Sequence, residues 1–276
     1  MRLLLVILFL FTLTAEAQNQ YQINYYSNGT LESEGWQDGH IKTEFWKFYH
    51  TNGQLSMQGH YKHGKKSDFW EFYDNKGQLL EEGHFSQDKK IGFWSLYDSG
   101  TLESEGHYKN NQKEGDWNFY HSNGEISEFG KYQNGEKVSF WKSFYPNGKK
   151  QKEGYYKDGS QVGHWKYYHL NGKLEKHGVY KFGKKINYWQ FYGLMGILSS
   201  EGHYENDKMQ NWWIFYDETG KIKHKCQLKD NIKNGYCLIY SDESLSAAVK
   251  YINGERIKEW TDYKSFKKEN KLSDLK

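Results

Sequence analysis

The chain has 276 residues, of which 18% are aromatic but only 36% hydrophobic, and its mean hydropathy is −1.02. Disordered chains are poor in aromatic residues, so this composition argues against disorder and indicates a thin fold with much exposed surface. A net charge of +3 is too small to require a nucleic-acid partner, and none is expected.

Residues 1–17 have the features of a cleavable secretory signal peptide. Arg2 supplies the positive charge, residues 3–13 form an apolar run, and Ala15-Glu16-Ala17 is a small-residue cleavage site before Gln18. The run is too short to span a bilayer, although a retained N-terminal anchor is the alternative. No later stretch is long enough to span a membrane. We therefore expect a mature chain that is secreted, periplasmic or held in the cell envelope.

An internal repeat of about 24 residues follows this segment. Trp recurs at that spacing with one shorter step, and an aromatic residue stands three positions after each Trp. Such self-similarity predicts one supersecondary unit repeated along the chain. The Trp row comprises Trp46, Trp70, Trp94, Trp117, Trp141, Trp165, Trp189 and Trp213. The tyrosines three residues later are Tyr49, Tyr73, Tyr97, Tyr120, Tyr168, Tyr192 and Tyr216.

One unit, from Trp46 to Phe69, shows why each repeat should form a hairpin. A short aromatic strand begins at Trp46, and Asn52-Gly53 then predicts a type I′ turn, because both residues tolerate positive φ. Apolar and polar residues alternate from Leu55 to Tyr61, which is the period of a half-buried strand. A second turn at His63-Gly64 leads back to the next Trp.

The predicted fold class is all-β: an elongated single-layer antiparallel sheet of about ten β-hairpin repeats over residues 18–263. No segment of helical period interrupts the repeats, so nothing would cover the sheet, and we expect its Trp rings to be only partly buried. Positions such as Gly59 leave room for a ring to lie across the backbone. Residues 264–276 lose the pattern and are predicted to form a polar C-terminal tail or cap.

The segment from Gly64 to Phe85 carries the pattern Gly-Lys-Lys-x-x-x-Trp-x-Phe-Tyr-x-x-Asn-Gly-x-Leu-x-x-x-Gly-x-Tyr, with Lys76 for Asn and Phe85 for Tyr. This pattern resembles the MORN-repeat variant family, and in particular the bacterial YwqK-family proteins, which are commonly labelled antitoxins. The resemblance covers roughly residues 22–263. It implies a β-hairpin array used for binding, since MORN arrays are associated with membrane surfaces and protein scaffolding.

Two polar rows recur at fixed offsets without predicting chemistry. His60, His84 and His203 share one repeat position, but equivalent positions two strands apart are separated by about 9.6 Å. That distance is too long for a shared metal ion, whose bonds to His measure about 2.0–2.1 Å. A row of glutamates stands just before the strand glycine: Glu82, Glu105, Glu153 and Glu201. A flat sheet would give these carboxylates no catalytic cleft. We expect no enzyme activity and no cofactor.

Paired lysines follow the second set of turns and would line one edge of the sheet. They could bind anionic envelope polymers, lipid headgroups or an acidic protein. Alternatively they provide solubility, since Lys at an edge discourages unwanted strand pairing. The lysines are Lys65, Lys66, Lys89, Lys90, Lys184 and Lys185.

The aromatic rows are also open to two interpretations, as the core of the sheet or as platforms for sugars.

The only two cysteines stand at repeat positions. Cys226 replaces the strand glycine and Cys237 replaces the following Trp. In intact units these positions, such as Gly59 and Trp70, should face each other on adjacent strands with Cβ atoms about 4.5–5.5 Å apart. That separation suits a disulfide, and export would allow it to persist. We predict a Cys226–Cys237 bond; the alternative is two separate buried thiols.

The sequence therefore favours an exported, non-enzymatic scaffold that binds an unknown protein or an anionic envelope or membrane surface. One alternative is a carbohydrate or cell-wall binding module with exposed aromatic rows. Another is an antitoxin-like partner of a toxin protein. Burial separates the first two hypotheses, because packed Trp rings are structural whereas a face with bare rings favours glycan binding.

Overall fold

The computed structural model describes residues 19–275 and is built almost entirely from β-strands. Strands account for 69% of the chain and helix for 4%, and the predicted antiparallel sheet of hairpin repeats is confirmed. The predicted signal peptide, residues 1–17, lies outside the described residues. The chain divides into two compact units, unit 1 ending at Gly100 and unit 2 beginning at Thr101.

Unit 1 is an antiparallel sheet in which each strand pairs with the next one along the chain. Its strands are β1 Gln20–Tyr25, β2 Leu31–Asp38, β3 Ile41–Tyr49, β4 Leu55–Lys62, β5 Lys65–Tyr73, β6 Leu79–Ser86 and β7 Lys89–Asp98.

Unit 2 continues the same hairpin pattern and ends in a short α-helix and a 3-10 helix. Its strands are β8 Thr101–Lys109, β9 Gln112–Tyr120, β10 Ile126–Gln133, β11 Glu136–Phe144, β12 Lys150–Lys157, β13 Ser160–Tyr168, β14 Leu174–Lys181, β15 Lys184–Tyr192, β16 Leu198–Glu205, β17 Lys208–Tyr216, β18 Ile222–Lys229, β19 Ile232–Ser241, β20 Ser244–Ile252 and β21 Glu255–Trp260. The α-helix is α1, Tyr263–Glu269, and the 3-10 helix is Leu272–Leu275. Neither has the length that a membrane span would need, and residues 19–275 contain no other helix.

The type I′ turn predicted at the Asn-Gly pairs is wrong. At Asn52-Gly53 only the glycine has a positive φ, 86°. The Gly53 N–H donates to the His50 carbonyl at 2.8 Å, which makes a three-residue loop that ends in a left-handed glycine. The asparagine serves through its side chain instead, since Oδ1 accepts from the Gln54 N–H (3.1 Å) and Nδ2 donates to the Asn75 carbonyl (2.7 Å). Asn52 thus ties one hairpin to the next.

Type I′ turns occur at the opposite end of the hairpins, next to the lysines. His63 and Gly64 both have positive φ, 52° and 76°, as a two-residue type I′ turn requires. Asn and Asp tolerate this left-handed region better than most residues, which explains why they fill the same place in other repeats. Examples are Asn110-Asn111, Asn134-Gly135, Asn206-Asp207 and Asp230-Asn231.

A bulge precedes each Trp and lets its ring bond to the backbone. Gly59 pairs with Trp70, but His60 pairs with Ser67, so β5 carries two inserted residues. The first of them, Asp68, has a φ of 57°. The Trp70 Nε1–H donates to the carbonyls of His60 (3.0 Å) and Ser67 (3.1 Å), one on each side of the bulge. This hydrogen bonding fixes the position of the indole across the strand pair.

The core is a layer of aromatic side chains on one face of the sheet, here called the Trp face. Trp70 lies directly on Gly59, where an added Cβ would be only 2.3 Å from the ring, so glycine is required. Tyr61 packs edge-on at 5.1 Å between ring centroids, Phe72 stacks at 5.9 Å, and the Lys66 Nζ lies 4.5 Å above the ring. The expectation of partly buried Trp rings is therefore wrong, because the neighbouring side chains act as a second layer. All eight members of the Trp row are at most 1% exposed.

Candidate binding surface

The opposite face of each sheet carries a second aromatic row, here called the open row. Side chains alternate between the faces of a strand, so the residue before each Trp and the residue after each strand glycine point away from the Trp face. In unit 1 the open row is Tyr21, Trp36, Phe45, His60, Phe69, His84 and Phe93. In unit 2 its aromatic members are His107, Phe140, Tyr155, His164, Tyr188, His203, Trp212 and, before Cys237, Tyr236.

Members of the open row form cross-strand pairs that remain exposed. The rings of Phe45 and His60 are 5.0 Å apart and edge-on, and those of Tyr188 and His203 have the same separation and orientation. Phe45 is still 38% exposed and Tyr188 is 42% exposed. Exposed apolar surface of this kind, repeated at one position, is typical of interaction sites. Similar pairs are Tyr21–Trp36, Phe69–His84 and Phe140–Tyr155.

The recurrent histidines belong to this row and pack on aromatic rings. His60, His84 and His203 each lie against the ring of the preceding strand at 5.0–5.3 Å. Within the described residues, no group of three or more His, Cys, Asp or Glu side chains could hold a metal ion. These histidines therefore take part in edge-on contacts between rings.

A ladder of Tyr–Glu hydrogen bonds runs beside the open row. Tyr120 donates to Glu105 at 2.6 Å, and burial together with this carboxylate raises the pKa of Tyr120 to about 12. Burial opposes ionisation of Glu153, but hydrogen bonds from Tyr168 and Lys150 outweigh it and lower the pKa of that carboxyl. A carboxyl with a lowered pKa is a poor general acid, so Glu153 is suited to accepting these hydrogen bonds within the sheet. Equivalent pairs are Tyr49–Glu34, Tyr97–Glu82 and Tyr216–Glu201.

The two lysines of each predicted edge pair occupy different places. Lys66 reaches over the Trp face towards Trp70, and burial there lowers the pKa of its ammonium group. Lys90 lies 4.0 Å over the Trp94 ring and forms an ion pair with Glu81. The two lysines of a pair therefore do not lie together on one edge, because the second lysine caps the aromatic core. Lys185 takes the position of Lys66 and Lys90, whereas Lys65, Lys89 and Lys184 are exposed at the turns.

Cys226 and Cys237 are joined by a disulfide in unit 2. The two residues are direct cross-strand partners on β18 and β19 and lie eleven residues apart in the chain. Both are at most 1% exposed, and Val249 packs beside them. The bond stands at the positions that the strand glycine and the Trp occupy in other repeats.

Helix α1 covers one position of the open row. Tyr236 precedes Cys237, as Tyr188 precedes Trp189, but Tyr236 is only 5% exposed. The Phe266 ring of α1 packs edge-on against Tyr236 at 5.7 Å, and the Tyr236 Oη donates to the Asn270 Oδ1 at 2.6 Å. The C-terminal residues predicted as a polar tail or cap thus form a helix that covers the sheet through an apolar contact. This contact was missed because the seven-residue helix is too short to show a clear period.

A cavity of about 340 Å³ lies beside α1. Leu238, Leu245 and Phe266 are among its lining residues, which are mainly apolar. Asp262 is the one charged residue of the described lining, and its carboxylate already caps α1 by accepting from the Ser265 N–H at 2.8 Å. The cavity is therefore a packing gap between helix and sheet, without groups placed for chemistry.

The MORN repeat variant family matches four segments of the chain, residues 46–63, 95–110, 141–158 and 161–182. They make up about a quarter of the chain and lie on the Trp-centred hairpins described above. These four segments are therefore similar to MORN repeats. A search of curated protein sequences finds no match.

Solved structures match this chain only at low identity and with low TM-scores. TarM is 10% identical over 33% of this chain and 18% of its own, with a TM-score of 0.24. A GtfA/B complex bound to UDP and GlcNAc is 9% identical over 41% of this chain and 23% of its own, with a TM-score of 0.19. The Photorhabdus luminescens Tc holotoxin pore is 13% identical over 84% of this chain and 14% of its own, with a TM-score of 0.21. This chain spans less than a quarter of each, and scores this low carry no functional argument.

Proposed function

We propose that this protein is a non-enzymatic binding scaffold whose open row holds an apolar segment of a partner protein. The observation that carries the proposal is the exposure of paired rings at one repeat position in both units. A repeated site suits an extended ligand, because each hairpin adds a similar contact.

The contact between α1 and Tyr236 favours a protein segment as the ligand. There, a Phe on a short helix reduces the exposure of a row position to 5%. An amphipathic segment that places aromatic residues on the row would bury the rings of Phe45 or Tyr188 in the same manner. Three of the six lysines that could have recruited an anionic surface lie on the Trp face, which weakens that alternative.

Capture of partners by matched variants tests this proposal. The purified chain, its Phe45→Ser/Phe69→Ser variant and a Phe182→Ser control would be incubated with envelope and periplasmic extracts and compared by quantitative mass spectrometry. Phe182 is 74% exposed but lies at a turn, outside the open row. We expect the wild type and the control to retain the same protein and the row variant to lose it by at least about tenfold. Equal retention by all three would contradict the role of the row.

A carbohydrate or cell-wall binding module is the second candidate, and the bare rings of the open row favour it. The Trp row takes no part in this hypothesis because its rings are buried. Sedimentation with insoluble cell-wall polymer, using the same three proteins, separates the two candidates. An antitoxin-like role, which the YwqK resemblance suggests, would appear in the capture experiment as a toxin protein.

Export is a separate proposal that rests on residues 1–17. If the signal peptide is cleaved, the protein recovered from outside the cytoplasm should begin at Gln18. N-terminal sequencing after cell fractionation measures this directly. Full-length protein confined to the cytoplasm would contradict it.

A further inference from the structure

Among the described residues, strand β1 is an unprotected sheet edge of unit 1. Across residues 19–275 its single pairing partner is β2, so one side of its backbone has no strand beside it. Such an edge is a template for pairing with another chain. None of the residues Gln20–Tyr25 is charged, and Tyr21, Ile23 and Tyr25 are 49%, 45% and 62% exposed. The strand therefore lacks the charges that usually prevent edge pairing.

Strand β21, the last strand of the chain, has the charged residues that β1 lacks. Most of its residues are charged, and α1 follows it after two residues. The Lys258 Nζ forms an ion pair with Glu269 of α1 at 2.6 Å. Charged side chains and a covering helix are usual means of blocking an edge. A general need for solubility would act on both terminal strands, so it does not explain why β1 has no charged residue. The charged residues of β21 are Glu255, Arg256, Lys258 and Glu259.

The sequence of β1 is symmetrical in side-chain type. Tyr21-Gln22-Ile23-Asn24-Tyr25 has the same order of aromatic, amide and aliphatic residues in both directions. In an antiparallel pair with a twofold axis at Ile23, Ile23 faces its own copy, Tyr21 faces Tyr25, and Gln22 faces Asn24. A twofold interface needs this self-complementarity, because each surface meets itself.

The two faces of β1 also suit this arrangement. Tyr21 packs edge-on against Trp36 of the open row at 5.3 Å, so Tyr21 and Ile23 lie on that face. Gln22 and Asn24 lie on the other face, where the Gln22 Nε2 donates to the Asn24 Oδ1 at 3.0 Å. Pairing would thus bring apolar side chains together on one face and amides together on the other. No charge would be buried.

We propose that β1 is a self-association edge, through which two copies of this chain pair antiparallel about Ile23. This inference does not depend on the proposed function, although the dimer would present two open rows to one partner and raise its avidity. A contact based on six residues is small beside a standard interface of about 1,600 Å². The dimer should therefore be reversible, with a dissociation constant on the order of micromolar.

Cysteine cross-linking tests the register. The natural cysteines are joined to each other, so an introduced Cys is the free thiol. In Ile23→Cys the two new side chains face each other with Cβ atoms about 4.5–5.5 Å apart, and mild oxidation should give a disulfide-linked dimer. In the control Tyr21→Cys the two copies are four residues out of step, about 13 Å apart, and should stay unlinked. Failure of Ile23→Cys to cross-link, or equal cross-linking of both variants, would overturn the proposal.

Analytical ultracentrifugation of the full chain, expressed with its own N-terminal segment, tests association without cross-linking. Ile23→Lys adds a charge to the proposed edge, and Ile257→Lys adds the same charge to β21, where the side chain is 52% exposed. We expect the wild type and Ile257→Lys to dimerise as concentration rises and Ile23→Lys to stay monomeric. A wild type that is monomeric at its highest soluble concentration, or a dimer that survives Ile23→Lys, would refute the pairing.

Discussion

Replacing Trp141 with Ala should destabilise unit 2 strongly. The ring is 1% exposed, and its Nε1–H donates to the carbonyls of Lys131 (3.2 Å) and Val138 (3.0 Å). Truncation of a buried Trp costs about 3–5 kcal/mol, and each lost hydrogen bond adds about 0.5–1.5 kcal/mol, partly recovered by water. Because Gly130 beneath the ring has no side chain to fill the space, we expect a loss near the upper limit, about 5 kcal/mol.

Urea denaturation followed by far-ultraviolet circular dichroism measures this loss without relying on Trp fluorescence. Phe140→Ala is the matched control, since Phe140 is the preceding residue, faces the other side and is 36% exposed. It should lower the free energy of unfolding by about 1 kcal/mol. Repeat arrays can unfold in parts, so hydrogen exchange in β11 and β12 should show where the loss falls. Equal losses for the two variants would refute the assignment of the Trp face as the core.

A double-mutant cycle tests the contact between the ring and the glycine. A Cβ on Gly130 would lie 2.2 Å from the Trp141 ring, so Gly130→Ala should cost about 2–3 kcal/mol in the natural chain. Once Trp141 is Ala the clash is gone, and the same change should cost less than about 0.5 kcal/mol. Additive losses would mean that the ring does not rest on the glycine.

Other consequences can be measured in the same way. Lys66→Glu should lower the free energy of unfolding by about 1–2 kcal/mol, because Lys66 covers the Trp70 ring. Lys65→Glu, at the exposed turn, should change it by less than about 0.5 kcal/mol. Equal effects of the two variants in urea denaturation would contradict this difference. The Cys226→Gly/Cys237→Trp variant restores the repeat pattern, so it should fold without a disulfide. Its free energy of unfolding should stay within about 2 kcal/mol of that of the oxidised parent, and a reducing agent should destabilise only the parent. An unfolded variant would show that the positions are not equivalent. Burial, with the nearby Glu128 carboxylate, raises the pKa of Tyr156 to about 12. Because this value lies above the ordinary pKa of about 10, the stabilisation should be complete below pH 10 and disappear as pH rises towards 12, and Tyr156→Phe should weaken that dependence in urea denaturation between these values.

Much of the fold was predictable because each hairpin is encoded locally. Gly59 and Trp70 are eleven residues apart, and in an antiparallel hairpin that separation is enough to make them cross-strand neighbours. The same spacing placed Cys226 opposite Cys237, where the structure has a disulfide. The same cross-strand contact then recurs in successive hairpins, since they share one register.

The turns show where local patterns mislead. Asn52-Gly53 has the composition of a type I′ turn, but the Asn side chain bonds to the Asn75 carbonyl of the next hairpin. Asn52 makes this bond from a three-residue loop in which only the glycine has positive φ. The type I′ geometry appears instead at His63-Gly64. The same loop forms at Lys76-Gly77, where no Asn directly precedes the glycine, so the Asn-Gly pair does not determine the turn type.

The sequence by itself therefore determined the strand order, the register and the pairs that face each other within a hairpin. The tertiary structure decided which of these side chains are buried. Trp70 is enclosed by Phe48 of the preceding hairpin, Phe85 of the following one and the stem of Lys66. No single repeat contains all of these groups. Exposure is a property of neighbouring units together, and for that reason the buried Trp face and the exposed open row became distinguishable only in the folded sheet.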